Sequence, residues 1–329
     1  MVKGQYRSIF GGWVMALSLL APGSARASIL VNTETEPHRV AAVQVLLARQ
    51  GFGCGLADNH VGNRTQGALA DFMEAWKIAT ESAAWDALQA DREPIFGRYT
   101  IQASDLASLG RAPSDWEAAA REPAMAYESL PELLSETFCI SERFLNTLNP
   151  GVAWGAVTAG VSVVVLNGHG PVQGPPAGRV EIDTQRFRLR VFDTNETLMS
   201  SFPCSVARER TRIPSGELKM VVFAVNPDYT FNPANYPESQ RAREIGHSLI
   251  LPPGPNNPVG VYWIGLDRPG FGIHGTPHPA TIGSMESHGC FRLMNGDVLM
   301  LSRYVRTGTP VVVKGAGSPK PAIPALAGE

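Results

Sequence analysis

With 329 residues, 44% hydrophobic and 18% charged, the chain has the apolar content for two or three packed domains, which excludes global disorder. A formal charge of −2 shows no polybasic excess and argues against nucleic acid as the partner. Four cysteines are too few for a scaffold built on disulfides.

Lys3 and Arg7 precede an apolar run from Ile9 to Ala21, followed by Ala25-Arg26-Ala27. A basic start, a short apolar middle and an A-x-A site describe a secretory signal peptide over residues 1–27. Gly11 and Gly12 interrupt the run and Pro22 ends it, which disfavours a membrane anchor. No internal stretch reaches the ~20 apolar residues of a membrane span. Cleavage after Ala27 leaves a net charge of −5 on an exported chain, expected in the periplasm or at the cell wall with no stable membrane span.

From Arg39 to Gln50 the residues Val40, Val43, Leu46 and Leu47 recur at helical spacing, and Gly51-Phe52-Gly53 ends the helix. After a loop through Asp58, Asn59 and Gly62, Thr65 opens a second helix with Leu69, Phe72, Met73 and Trp76 on one face. Gln44, Leu47, Gly51-Phe52, the loop Asp58-Asn59-His60-Val61-Gly62 and Thr65 through Phe72 resemble the small peptidoglycan-binding domain of bacterial wall enzymes, taken here as residues 28–82. Asn59 stands where that family usually has glycine, and Asn tolerates positive φ. A helical spacer without a ligand is the alternative.

Residues 83–125 read as a helical linker. Tyr127-Glu128-Ser129, a helix from Leu130 to Phe138, a second from Leu145 to Asn149 and an apolar strand over Gly160–Val165 follow. That order resembles a divergent LysM module, a βααβ glycan binder, over residues 126–167, with a structural linker as the alternative. Beyond Gly168 the pattern changes: Phe187, Leu189 and Val191 alternate with Arg186, Arg188 and Arg190, which predicts a half-buried antiparallel strand. Further strands are expected at Met220–Val225, Gly260–Leu266 and Pro310–Val313, separated by Pro- and Gly-rich loops. Many short strands with long loops suggest a β-sandwich or barrel-like sheet, and the whole chain a multidomain α+β protein. The tail 316–329, rich in Gly, Pro and Ala, reads as disordered.

The chemistry concentrates in Ile273-His274-Gly275-Thr276-Pro277 and Ser287-His288-Gly289-Cys290-Phe291-Arg292-Leu293. A thiol attacks as thiolate, and an imidazole can take its proton and stabilise the ion pair. Gly289 lets backbone N–H groups approach a developing oxyanion. Cys290 and His274 are 16 positions apart, so only tertiary folding can pair them. Zinc held by His274, His278, His288 and Cys290 is a weaker reading, because their spacings match no common structural pattern and Pro277 and Pro279 oppose one helix face. A buried structural cysteine beside packing histidines is the third.

The segment His274–Leu293 resembles the active-site motif of the L,D-transpeptidase (YkuD-type) catalytic domain, a histidine followed after a spacer by Ser/Thr-His-Gly-Cys. Ile213-Pro214-Ser215-Gly216-Glu217, Asn226-Pro227, Pro253–Gly260 and Trp263-Ile264-Gly265-Leu266 extend the likeness over residues 178–315. Phe291 departs from the family's usual Val, Ile or Leu. The resemblance implies that Cys290 attacks the third residue of a peptidoglycan stem tetrapeptide and expels D-alanine. His274 would be the general base, held in its tautomer by a backbone carbonyl, and His288 and Gly289 would shape the oxyanion region. An amine of a second stem then gives a 3–3 cross-link, an amine of a protein gives wall attachment, and water gives a carboxypeptidase. A catalytically idle wall binder is the remaining alternative. The implied partners are donor and acceptor stem peptides, with glycan strands held by the N-terminal modules; no cofactor and no metal are implied.

Arg292, a guanidinium suited to a bidentate carboxylate, is the candidate substrate reader or else an intradomain ion pair. Ser287, Gly275 and Thr276 complete the candidate substrate-binding set, with a hydrogen bond inside the loop as the simpler role for Ser287. Tyr262 and Trp263 line the donor groove or pack as core aromatics, His278 reads as a surface residue and Asn295 as a local cap. Cys204 reads as a small buried hydrophobe. Cys54 and Cys139 lie in the two N-terminal modules, where a disulfide is open but not fixed by sequence.

Overall fold

The computed structural model describes residues 28–168, 174–214, 216–236 and 238–315. The signal peptide, the tail 316–329 and Ser215 lie outside them. Three helices come first: α1 (Arg39–Arg49), α2 (Asn63–Ala75) and α3 (Glu81–Leu88). Leu46, Leu47, Phe52, Leu69, Phe72 and Leu88 form their core. The helical face expected on α2 holds at Leu69 and Phe72, while Trp76, beyond the helix end, is 53% exposed. Buried Gln44 ties the α1–α2 loop to its helix: Nε2 donates to Asp58 Oδ1 and Thr65 Oγ1, at 2.9 and 3.0 Å, and Oε1 accepts the amides of Asp58 and Asn59. Asn59 takes a φ of 61° and its Oδ1 accepts the Ala41 amide, so its side chain stabilises the helix start that its backbone turns away from.

Residues 83–125 are not a continuous helical linker. They contain a strand, β1 (Phe96–Thr100), and two short helices, α4 (Ala103–Ala107) and α5 (Trp116–Ala119). After α6 (Leu130–Thr137) and α7 (Glu142–Leu148), β2 (Ser162–Leu166) returns antiparallel to β1, Tyr99 facing Val163. The strand that pairs with β2 therefore lies about thirty residues before Tyr127, with the four helices α4–α7 between the two strands instead of two, and the only bridge at Tyr127 is an isolated one to Leu109. β1 buries neither face, so it has no hydrophobic alternation to betray it; pairing with the apolar β2 creates it. Leu133, Leu134, Ile140, Phe144, Leu145, Val163 and Val165 fill the core above the pair.

The remaining strands are β3 (Arg179–Asp183), β4 (Arg188–Phe192), β5 (Leu198–Pro203), β6 (Val206–Ala207), β7 (Gly216–Val225) and β8 (Tyr229–Phe231), then, after α8 (Gln240–Ile245), β9 (Leu249–Leu251), β10 (Tyr262–Leu266), β11 (Gly272–His274), β12 (Met285–Ser287) and β13 (Phe291–Arg292), and after α9 (Asn295–Ser302), β14 (Pro310–Lys314). Eight of them form one sheet in the order β13-β11-β10-β7-β14-β3-β4-β5. A sandwich of two sheets is therefore corrected to one curled sheet. The ten-residue β7 belongs to both halves, pairing β14 through Gly216–Lys219 and β10 through Met220–Val225, with a register shift at Gly265/Leu266. Both halves close on one core with α9, including Val180, Leu189, Phe202, Met220, Ile264 and fully buried Phe291.

β4 also departs from expectation. It is buried on both faces, because the helical unit covers its arginine side. Asp71 on α2 receives Arg188 Nε at 2.7 Å and lies 3.2 Å from Arg190 Nε. Arg188 also donates to the Gly53 carbonyl and to Ser201 Oγ, and Arg190 contacts Glu74 and Glu181. The Gly51–Gly53 turn extends the sheet edge, Gly53 donating to Ser201 O and Ser201 to Gly51 O. Phe192 and Leu198 of the sheet complete the helical core. Removing Asp71 leaves two buried guanidinium groups without their shared carboxylate, so Asp71→Ala should cost about 3–5 kcal/mol. Urea unfolding checks it: a midpoint change worth under ~1 kcal/mol would mean that water reaches the cluster.

Candidate active site

β11 and β13 are parallel neighbours, with Ile273 opposite Phe291 and His274 opposite Arg292. Cys290 immediately precedes β13, so the register brings it beside Gly272, two residues from His274 on the adjoining strand. The histidine and the cysteine named from sequence thus share one sheet edge. β10 flanks β11 on the other side, Trp263 opposite His274, and α9 packs beneath both strands.

His274 is buried, and its Nδ1 lies 2.6 Å from the Gly275 carbonyl. A carbonyl only accepts, so Nδ1 carries the proton and Nε2 keeps its lone pair. Burial pushes the imidazole down to about 4, with Gly275 opposing and the Arg292 charge adding to the fall, so it is neutral at physiological pH. The Trp263 ring stacks on it at 5.4 Å and 20°. Gly272 permits this: a Cβ there would lie 2.5 Å from Trp263 Cζ2.

Cys290 is partly exposed and donates from Sγ to the Gly270 carbonyl at 3.5 Å. Burial of the sulfur pushes its pKa up to about 11, which a hydrogen bond from the Gly272 backbone only partly offsets. The resting pair is therefore thiol and neutral imidazole rather than the thiolate–imidazolium pair that sequence chemistry suggests. Desolvation penalises both charged forms at once.

The other expected site residues divide. Gly275 carries the carbonyl that holds His274. Ser287 Oγ donates to Cys290 O at 2.5 Å and accepts from the Gly289 amide at 3.3 Å, so its hydroxyl ties the turn together. Thr276, expected to bind substrate, is fully buried, its Oγ1 accepting the His278 amide. His288 is exposed and reaches Glu238 at 3.0 Å, its ring edge-on to Tyr236 at 4.7 Å. Tyr236 shares a 2.6 Å hydroxyl contact with Tyr229; burial raises the pKa of both phenols, and both stand near enough to Cys290 for a thiolate there to raise them further. Arg292 is mostly buried, with Glu286 at a loose 3.7 Å and Nε and Nη2 left without a hydrogen-bond partner among the described residues. Cys204 is fully buried, and no disulfide links any of the four cysteines. Among the described residues no three His, Cys, Asp or Glu side chains converge as a metal site needs, and no helix is long and apolar enough to cross a membrane.

Residues 177–313, which hold this whole arrangement, match the model of the L,D-transpeptidase catalytic domain, YkuD. A Bacillus subtilis (strain 168) protein named as L,D-transpeptidase YkuD is 30% identical over 180 residues, spanning 55% of this chain and 90% of that relative. This chain belongs to the YkuD L,D-transpeptidase family. A Bacillus licheniformis protein of the same name is 29% identical over 182 residues, 55% of this chain and 92% of the relative. Among solved structures, an L,D-transpeptidase from Mycobacterium smegmatis is similar at 16% identity and a TM-score of 0.35, covering 46% of this chain and 65% of that one, a likeness too loose to add to the assignment. The transpeptidase domain is thus the curled sheet with α9, and the helices α1–α7 precede it.

Sequence reasoning missed three contributors to this L,D-transpeptidase site. Trp263 was read as core or groove, yet it braces His274; its place on the short strand β10 offered no pointer. Asn295, read as a cap, sits instead against Gly260 and Gly275. Glu136 on the distant α6 reaches Asn295, a contact that no local pattern announces. Because the resting sulfur is protonated, alkylation of Cys290 by iodoacetamide should climb about tenfold per pH unit from pH 7 to 10. Cys204 should remain unlabelled. A rate plateau below pH 8 would show a preformed thiolate and contradict this account.

Proposed function

We propose that this chain is an exported peptidoglycan L,D-transpeptidase that works through a Cys290 thioester. What supports the reading most is that His274 ends β11 while Cys290 immediately precedes the adjoining parallel strand β13, both inside the matched domain. The donor is a stem tetrapeptide. Sγ attacks the carbonyl of its third residue while the thiol proton passes to His274 Nε2, which the Gly275 contact leaves free to accept it. Since neither group is charged beforehand, proton transfer and attack belong to one step, and substrate supplies the geometry for it. The tetrahedral oxyanion is stabilised near His288 and the Gly289 amide. Collapse breaks the C–N bond, and terminal D-alanine leaves with the proton from His274.

His274 then takes a proton from an incoming amine as that amine attacks the thioester, and the thiol leaves reprotonated. With an amine from a second stem the product is a 3–3 cross-link. Arg292, whose Nε and Nη2 have no hydrogen-bond partner among the described residues, reads a substrate carboxylate. The helical unit is assigned to the peptidoglycan-binding class and the unit of β1, α6, α7 and β2 to the LysM-like class, holding glycan strands beside the site.

The test is mass spectrometry of tetrapeptide-stem muropeptides incubated with the mature protein, beside Cys290→Ala. A cross-linked dimer that disappears in the variant is expected. Tripeptide without dimer would move the assignment to a carboxypeptidase or to a protein acceptor, and an unchanged product pattern in Cys290→Ala would remove the nucleophile.

A further inference from the structure

The unit built on β1 and β2 does more than precede the catalytic domain. Its helix α6 touches α9, and at that contact Glu136 Oε2 accepts from Asn295 Nδ2 at 2.8 Å. The same amide nitrogen donates to the Pro255 carbonyl at 3.1 Å, and Asn295 Oδ1 accepts the Val261 amide at 3.2 Å. All three contacts agree on one orientation of the side chain: a flipped amide would set its oxygen against two acceptors. Held this way, Oδ1 fills the space where side chains on Gly260 and Gly275 would begin, 2.1 and 2.2 Å from the Cβ positions those glycines lack. Gly275 carries the carbonyl that takes the His274 Nδ1 proton, and its own amide is tied to Tyr262 O. A continuous chain of contacts therefore runs from the preceding unit to the catalytic imidazole.

We propose that Glu136 is a positioning residue for His274, acting through Asn295. Its carboxylate sets the Asn295 amide, the amide seats the Gly260 and Gly275 backbone, and the Gly275 carbonyl fixes the Nδ1–H tautomer. An interface bolt alone would be better served by apolar packing. Glu136 is instead an acid at the C-terminal end of a helix, where the dipole disfavours it. Burial pushes it up to about 7, and Oε1 has no hydrogen-bond partner among the described residues. Tyr127 donates to the same Oε2 at 3.4 Å. The oxygen accepts from Asn295 whether or not the acid is protonated, so a glutamine can reproduce it.

This inference rests on the reading of His274 and Cys290 as a working pair, and its first readout does not depend on product. Nitrogen-15 NMR of the His274 ring in the full mature chain should show a protected Nδ1–H in the parent protein and in Glu136→Gln. In Glu136→Leu and Asn295→Ala that proton should exchange freely and the tautomers mix. With tetrapeptide-stem muropeptides, kcat should fall roughly ten- to hundredfold in those two variants with KM little changed, while Glu136→Gln keeps the parent rate. The double variant should be no worse than Asn295→Ala, because both substitutions cut one path. Folded Glu136→Leu that retains the protected proton, or additive losses in the double variant, overturns the inference. Should Glu136→Leu not fold, Glu136→Ala takes its place under the same criteria. A parent protein that makes no Cys290-dependent product overturns the proposed function, and the ring signature then decides this inference by itself.

Discussion

Asp71 and the two arginines it holds decide how this molecule is put together. A strand with two alternating arginines would ordinarily face water on that side. Here α2 lays one carboxylate between Arg188 and Arg190, and the polar face of β4 becomes an interior surface. Neither arginine is tolerable there alone, since a buried guanidinium needs a carboxylate and further acceptors to offset its lost hydration. Gly53 O and Ser201 Oγ supply those acceptors for Arg188. The helical unit, the sheet edge and the turn between them are fixed by the same few charges.

A second seam continues the first. The segment between β1 and α6 reaches across to the β8–β9 hairpin, where Trp116 stacks on Phe231 at 4.7 Å and Glu117 pairs with Arg241. Met125 exchanges backbone hydrogen bonds with Pro253 and Asn256, and Gly254 makes this possible with a φ of 145° and no side chain against the Met125 carbonyl. Tyr229 and Tyr236 of that hairpin region stand by Cys290 and His288. The N-terminal units are thus built into the walls around the site, not tethered beside it.

The helices α1, α2, α6 and α7 were legible because apolar residues recur along them at helical spacing, and β7, β10 and β14 because apolar runs between turn residues have few other fates. The histidine and cysteine were legible as chemistry, from residue types set among glycines. β1 was invisible because both its faces are largely open and its partner lies sixty residues on. The double burial of β4 was hidden for the opposite reason, since alternation reports which residues are polar and says nothing of what will cover them. The electrostatics of the site were equally out of reach: a thiol beside an imidazole reads as an ion pair until the depth of both groups is known.

The core of the helical unit includes Phe192 and Leu198, which the ribosome adds more than a hundred residues after α2. A chain growing from its N-terminus therefore makes α1–α3 long before the side chains that close their hydrophobic centre exist. Until the β4–β5 hairpin arrives, Leu47, Phe52 and Phe72 form an open apolar face with Asp71 at its edge. The helical unit, early in the chain, thus closes its core only once the β4–β5 hairpin is in place.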